Sequence, residues 1–542
     1  MSSVLTVQAS LLCIFLWVLW RALKQIVVRH PLDDIPGPPP QSYLWGNFKQ
    51  IFNAQSWAFH QSLVDQYGGV AKIYGAFSDI QLYVSDPKAL HHILVKDQYV
   101  FEETNWFIQS NRMMFGMGLF GTLGEHHKKQ RKMLNPVFST NHLRDMLPIF
   151  YEISHKLRNA IASRVKDGPQ EIDILHWTTR TALELIGQSG LGYSFDTLGD
   201  GTANEYSIAV KSLVPTIFQL SALRRFMPIF VKLGPPKFRR LLMSLVPHKA
   251  VRRTQEIVDI MDRTSVEIFE RKRSALQQGD EAVLQQVGRG KDIMSILLKA
   301  NMAATEEDRL QESELLGQMT TLIFAAMDTT SGALARILST LAEHPDVQDK
   351  LRKELTEARK SNDDLDYDDL SSLPYLDAVC RETLRLYPPV PYVTREARRD
   401  IIIPLSTPIT GKNGTDIHEI HIPNGTSIMV GVLGANRNSE IWGNDACKWR
   451  PERWLSPLPD SVKQARMPGI YSNTMSFLAG GRACIGFKFS QLEMKAVLFI
   501  LVESFRFSSA DKEIMWNMGG ISSPSVKGQQ EPQLPLIISM VQ

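Results

Sequence analysis

Residues Ser313 to His344 are the longest run in this 542-residue chain that reads as one helix. Pro345 stops it, because proline lacks the amide hydrogen that a helix interior needs. The middle of the run, Leu322-Ile323-Phe324-Ala325-Ala326-Met327, is apolar on every side. Such a helix has no face to offer to water, so it must pass through the core. Asp328, Thr329, Thr330 and Ser331 follow directly, and a charge beside a wholly apolar stretch is costly unless it has a partner. Two readings fit. In one, Thr329 bonds back to a helix carbonyl and Asp328 pairs with an arginine. In the other, the acid and the alcohol relay protons beside a local break in the helix, where a diatomic ligand can sit.

A second stretch carries the chemistry. Phe477-Leu478-Ala479-Gly480-Gly481-Arg482-Ala483-Cys484-Ile485-Gly486 places one cysteine in a glycine-rich turn, and an amphipathic run from Lys488 to Glu503 follows. Cys484 should therefore sit at or just before a helix N-terminus, where free amides and the dipole lower a thiol's pKa. Gly480, Gly481 and Gly486 allow a sharp turn and a close approach to a flat ligand. Phe477 can shield the sulfur, and Arg482 can pair with an anion beside it. The bland alternative is a structural cysteine in an ordinary turn.

Composition narrows the field. Lys and Arg total 60 against 57 Asp and Glu, so no basic excess points to nucleic acid. Cys13, Cys380, Cys447 and Cys484 show no paired spacing, which argues against a disulfide scaffold or a zinc finger. Length alone suggests several domains, yet no linker-like break interrupts the interior.

At the amino end Val4 to Trp20 is mostly apolar and is followed by Arg21, Lys24, Arg29 and His30. This is the short end of what spans a bilayer, and the basic flank puts the bulk of the protein in the cytosol. Trp17 and Trp20 stand where signal cleavage needs small residues, so the segment reads as an uncleaved anchor. Ile35 to Pro40 is a stiff, proline-rich extended stretch.

Further along, Ile51 to Tyr67 reads as a helix, Val70 to Val84 as a hairpin and Pro87 to Lys96 as a helix. Phe101 to Gly124 reads as an irregular loop rich in Phe and Met that covers something. A helix from Gly124 to about Pro136 carries His127 and Arg131 among Lys128, Lys129 and Lys132. Ser207 to His248 mixes Phe218, Phe226 and Ile229 with Arg224, Arg225 and Arg240. It reads either as a membrane-facing surface or as a core helix pair with basic ends. Glu382 and Arg385 stand at i, i+3 on a helix from Leu373 to Leu386. Short strands follow between Tyr392 and Val432, then a meander from Asn436 to Pro459 and a β tail at Leu534 to Met540.

The pattern F-x-x-G-x-R-x-C-x-G at Phe477 to Gly486 resembles the haem-binding loop of the cytochrome P-450 monooxygenases. Other motifs agree in order. Ala325-Ala326-Met327-Asp328-Thr329 is similar to A-G-x-[DE]-T, with Ala326 where glycine is usual. Glu382 and Arg385 match E-x-x-R, and Pro451-Glu452-Arg453-Trp454 matches P-E-R-F with Trp454 in place of Phe. Arg131 matches the arginine of W-x-x-x-R, with His127 in the tryptophan position. The flanking phrasing looks most like microsomal members from filamentous fungi, basidiomycetes in particular.

The resemblance implies a mainly α fold with small β-sheets, a single haem domain behind an N-terminal transmembrane anchor. The divisions would be residues 1–30 anchor and basic flank, 31–42 hinge and 43–542 catalytic domain. It implies haem b with the Cys484 thiolate as axial iron ligand, cradled by Phe477, Gly480, Arg482, Gly486 and Ala325. Arg131, Arg395, Arg482 and His127 would meet the propionates. Asp328 and Thr329 would be catalytic, delivering the protons that cleave O–O. Glu382, Arg385 and Arg453 would form a structural triad.

The implied reaction is NADPH- and O₂-dependent oxidation of a hydrophobic small molecule, with a terpenoid or steroid-like secondary metabolite as the leading substrate and detoxified aromatic hydrocarbons second. Electrons would come from an NADPH–cytochrome reductase, with cytochrome b5 as a second donor, docking on the basic face beside Arg131. Rival readings are a haem-thiolate isomerase or peroxygenase working without reductase, and a non-catalytic haem sensor. The implied location is the endoplasmic reticulum membrane, single-pass, with the catalytic domain in the cytosol. That orientation predicts that the sequons at Asn413 and Asn424 are bare; a mass shift on glycosidase treatment of the native protein would reverse it.

Overall fold

The computed structural model describes residues 12, 16, 20, 30–195, 198, 199, 205–279, 281, 282, 287, 288, 290–360 and 363–541. The expected anchor at Val4 to Trp20 lies outside these residues except for Leu12, Leu16 and Trp20. No helix among the described residues is long and apolar enough to cross a membrane.

Helices dominate. The principal ones are α1 (Trp57–Tyr67), α2 (Asn105–Phe115), α3 (Gly124–Leu134), α4 (Thr140–Val165), α5 (Ile174–Leu185), α6 (Glu205–Gln219), α7 (Lys249–Gln278), α8 (Glu312–Glu343), α9 (Pro345–Arg359), α10 (Pro374–Leu386) and α11 (Phe487–Ser504). Strands β1 (Val70–Tyr74), β2 (Ile80–Val84), β3 (Phe101–Glu102), β5 (Val393–Ala397) and β8 (Ser427–Val430) form one sheet in the order β1-β2-β8-β5-β3. Strand β4 (Gln170–Asp173) pairs with the tail strand β12 (Pro535–Met540), which also pairs with β9 (Phe505–Ser509). Two hairpins, β6 (Ile401–Thr410) with β7 (Asp416–Ile422) and β10 (Ile514–Asn517) with β11 (Ser523–Val526), complete the set.

The apolar run is the core helix its sequence demands. Helix α8 opens with a capping box between Gln311 and Glu314, which satisfies amides that would otherwise be orphaned. It packs against α5, α7 and α11, with Leu322, Ile323, Met327 and Leu334 buried. It is uninterrupted α-helix from end to end, so the expected break at Asp328 is not seen. Helix α11 packs along α4, where Phe489 meets Phe150 edge-on at 5.0 Å between ring centres.

Three expectations need correction. The helix expected over Ile51–Tyr67 starts only at Trp57, because Asn53 Oδ1 accepts the Gln55 amide at 2.8 Å and turns the chain there. The stretch Phe101–Gly124 is not all loop: α2 lies within it, burying Ile108, Asn111, Met114 and Phe115 on one face and ending at Gly116 with φ 74°. In Ser207–His248, α6 is regular and buried on one side, but Phe226, Ile229, Leu241 and Leu245 are exposed. The core-pair reading therefore fails for that second half.

A buried carboxylate organises the support for the cysteine-bearing turn. Glu382 on α10 is wholly buried and receives Arg385 Nε at 2.9 Å and Nη2 at 2.8 Å, Arg453 Nε at 3.3 Å, the Arg450 amide at 3.1 Å and Trp454 Nε1 at 3.0 Å. The expected triad thus assembles, and Trp454 in place of Phe adds a donor. Asp445 joins it, accepting Arg453 Nη1 at 3.0 Å. Arg385 Nη1 also holds the carbonyls of Asn436 at 2.9 Å and Ala446 at 2.6 Å. Asn436 then accepts the Met475 amide at 2.6 Å and donates to Ser476 Oγ at 2.9 Å, next to Phe477. The chain of bonds runs from α10 to the mouth of the turn. Removing one member of a buried pair leaves an uncompensated charge, so Glu382→Ala should lose about 3–5 kcal/mol in denaturant unfolding and purify without haem; a folded, haem-replete variant would contradict this.

Candidate active site and cofactor cradle

The cysteine-bearing turn runs from Phe477 into α11. Leu478 and Gly480 take positive φ, 56° and 66°. Glycine at 480 is needed for a reason other than a ligand: a Cβ there would lie 1.8 Å from the Leu94 carbonyl oxygen. At Gly486, which precedes the first residue of α11, a Cβ would meet only Phe138 at 3.9 Å. The Cys484 amide donates to the Phe477 carbonyl at 2.9 Å, closing the turn, and the Phe477 ring stacks edge-on against Tyr471 at 5.3 Å.

Cys484 is a free thiol with exposed surface, although the neighbouring Ala479 and Ala483 are buried. Its surroundings are nonetheless largely desolvated. Desolvation pushes the thiol above its ordinary pKa, against the opposing pulls of the Gly486 amide and the Arg131 guanidinium. The expected lowering by the helix end is therefore outweighed by desolvation; a bound cation would be needed to hold the thiolate. Cys380, by contrast, is sealed in the core, its thiol pushed up to about 12 by burial.

Four predicted residues converge beside Cys484. Arg131 on α3 donates to the carbonyl of Ala483. Arg482 gives Nη2 to the Thr122 carbonyl at 2.7 Å. Arg395 on β5 gives Nη1 to the Thr394 carbonyl at 2.8 Å. His127, one turn before Arg131, is pushed down to about 3 by burial and by the charges of Arg482, Arg131 and Arg395, so its imidazole is neutral. One carboxylate that sequence reasoning missed, Glu103, pairs with Arg482 at 3.1 Å and Arg395 at 3.5 Å.

The middle of α8 carries a partly open face. Phe324, Ala325, Ala326, Asp328 and Thr329 are half-buried between fully buried neighbours, as residues facing an internal space must be. Thr329 Oγ1 donates to the Ala325 carbonyl at 2.6 Å, so the back-bonding reading holds for the alcohol. Asp328 does not follow that reading: the charge that acts on it is Lys211 of α6 rather than an arginine. Burial pushes its carboxyl up to about 7, with Lys211 pulling the other way. Asp328 and Lys211 border one cavity of about 40 Å³, with Thr179 of α5, Ser331 and Ser522. Roughly 10–15 Å³ suffices for one water, so the acid has room for a solvent partner.

The roof is aromatic and tightly docked. Phe115 lies 4.6 Å from Phe324, and Phe120 lies 6.4 Å from it, ring centre to ring centre. The segment between them is locked to α8 by backbone contact, since a Cβ on Gly118 would sit 2.4 Å from the Gly317 oxygen. Gln318 Oε1 accepts the Leu119 amide at 3.2 Å, and Gln130 Nε2 reaches both the Met117 carbonyl at 2.8 Å and Glu314 at 2.7 Å. Gln130, Glu314 and Gln318 carry no motif; polar residues at core-facing helical positions were their only signal.

The donor set fits a haem: a free cysteine, an acid and an alcohol on the partly open face of α8, and three guanidiniums with a buried carboxylate between two of them.

Comparison with known proteins agrees. The Cytochrome P450 family model matches residues 36–531. Cytochrome P450 monooxygenase 91 of Postia placenta is 55% identical, with 98% of each chain covered. Ganoderic acid synthetase CYP5150L8 of Ganoderma lucidum is 45% identical, with 96% of each covered. A cytochrome P450 monooxygenase of Hericium erinaceus, eriI, is 39% identical over 98% of each.

The Asp328 carboxyl gives a sign that can be checked. Its folded value of about 7 lies above the ordinary 3.8, so between these values the unfolded chain releases a proton that the folded one keeps. Stability should fall as pH rises from about 4 to 7 and stay lower above that. Asp328→Asn should flatten this limb and be the more stable protein at alkaline pH, as read by chemical denaturation across the window; parallel profiles would contradict it.

Proposed function

The chain is a member of the cytochrome P450 family, a monooxygenase that binds haem through the Cys484 thiolate, and on that premise we propose that it hydroxylates or otherwise oxidises a terpenoid or steroid-like molecule with electrons from an NADPH-dependent reductase. The observation that carries the proposal is Asp328 beside Thr329 on the half-exposed face of a core helix, bordering a cavity large enough for water. A haem sensor has no use for that pair, and its retention argues against an isomerase or peroxygenase working without reductase.

Bound haem supplies the iron at which dioxygen is activated, with the thiolate pushing electron density that favours O–O cleavage. The chain's own groups do the rest. Arg131, Arg395 and Arg482 would hold the propionate edge by charge-assisted hydrogen bonds, and neutral His127 would add a donor without adding charge. Asp328, near half-protonated at neutral pH by its value of about 7, can both give and take a proton. Cavity water restores that proton from the Lys211 side. The Thr329 hydroxyl must leave the Ala325 carbonyl before it can donate into the cleft.

The aromatic roof of Phe115, Phe120 and Phe324 favours an apolar substrate body, and a relative named ganoderic acid synthetase supports the terpenoid class. NADPH belongs on the partner, since no G-x-G-x-x-G follows a strand here. The docking face is α3, where Lys128 and Lys132 are exposed and Lys129 is half-buried, its Nζ donating to the carbonyls of Glu307 and Arg309. Part of its charge is already met, by Glu125 at 3.3 Å from Lys128 and by Asp308 at 3.6 Å from Lys132. The catalytic unit, residues 43–542, works from the cytosolic side of the endoplasmic reticulum, held by the apolar amino-terminal segment.

Terpenoids that shift the haem spin state should be turned over with reductase, NADPH and ¹⁸O₂, giving product with one labelled oxygen. In Thr329→Ala most of the NADPH electrons should leave as hydrogen peroxide. Unlabelled product, or activity with peroxide but none with reductase and NADPH, would overturn the reading.

A further inference from the structure

Glu103 is buried, 7% exposed, and belongs to no motif of the chain. It follows β3 directly, and its backbone carbonyl is held by Arg398 Nη2 at 2.6 Å. Its carboxylate oxygens point in two directions, Oε2 to Arg482 Nη2 at 3.1 Å and Oε1 to Arg395 Nη2 at 3.5 Å. The preceding Glu102 accepts the Gly124 amide at 2.9 Å, which ties the same short strand to the start of α3, the helix that bears Arg131. Three structural units that meet at the cofactor rim, α3, β5 and the cysteine turn, are thus stapled by two consecutive glutamates.

Charge counting gives Glu103 a purpose. Arg131, Arg395 and Arg482 bring three positive charges to one buried place, and His127 brings none. The two propionates of a haem offset two of them. One buried cation remains, and isolated buried charge is strongly disfavoured. Glu103 contacts two of the three guanidiniums directly and supplies the nearest negative charge, with Glu102 adding a weaker pull on Arg482.

We propose that Glu103 is the third anion of the haem pocket, a positioning residue that balances the arginine trio and holds down the reduction potential of the iron. The proposal rests on haem binding at Cys484, already part of the family reading. Reduction adds an electron to the cofactor, so a fixed negative charge beside it disfavours the reduced state. Before haem enters, Glu103 is the main counter-charge for Arg395 and Arg482; afterwards it neutralises only the surplus.

The test is spectroelectrochemical titration of the purified holoprotein, beside thermal unfolding of holo- and apoprotein. Glu103→Gln keeps the shape and removes the charge. It should raise the midpoint potential and lower the apoprotein Tm more than the holoprotein Tm. Arg395→Gln should move the potential the other way, and the double variant should return toward the parent value. Glu103→Asp, which keeps the charge, should stay near the parent value; together with the double variant it decides the matter where Glu103→Gln folds poorly. An unmoved potential with equal loss of Tm in both forms would show Glu103 to be a structural staple only and overturn the proposal. The thiolate carbonyl spectrum of the parent is a separate readout: its absence would count against haem binding at Cys484, whereas its presence with an unmoved potential in Glu103→Gln counts against Glu103 alone.

Discussion

A carboxylate with no access to water receives five hydrogen bonds at the base of this structure. Glu382 gathers both edges of Arg385, the Arg453 guanidinium, the Trp454 indole and the Arg450 amide. Arg385 comes from α10 itself, and the other donors come from the meander that follows β8. Because a lone buried charge is so costly, the meander has one acceptable path, and that path delivers Asn436 to the amide of Met475. The cysteine turn begins two residues later. The position of Cys484 is thus inherited from an ion pair on another helix.

The same logic governs the cleft. Desolvation makes every charge there conditional on its neighbours. It pushes the Cys484 thiol up and holds His127 neutral, and it makes Asp328 a group that exchanges protons near neutral pH. Opposing charges then set how far each goes: Arg131 near the sulfur, Lys211 across the water-sized cavity, Glu103 among the arginines. A site surrounded by solvent would screen these differences away.

Sequence patterns revealed some of this and hid the rest, for physical reasons. An all-round apolar run can only be a core helix, so α8 was legible to within a residue at each end, and so was the i, i+3 pair Glu382–Arg385. The loop expected at Phe101–Gly124 concealed α2, because its buried face includes Asn111 and Ser110, which a hydrophobic pattern does not register. Cys484's position before α11 was readable, but its pKa was not, since burial depends on distant elements. Glu103 and Lys211 were invisible for the same reason: each acts on a residue far away in the chain. The apolar segment at Val4 to Trp20 stays a sequence-level reading, outside the described residues.

The account turns on Cys484 as the iron's ligand within a charge-balanced cleft. The most direct measurement is the absorption spectrum of the reduced, carbon monoxide-bound protein, taken for the parent and for Cys484→His. The parent should show the long-wavelength Soret band of thiolate-ligated haem, and the variant should bind haem without it. A parent spectrum of the histidine-ligated type, or an unchanged band in Cys484→His, would contradict the assignment.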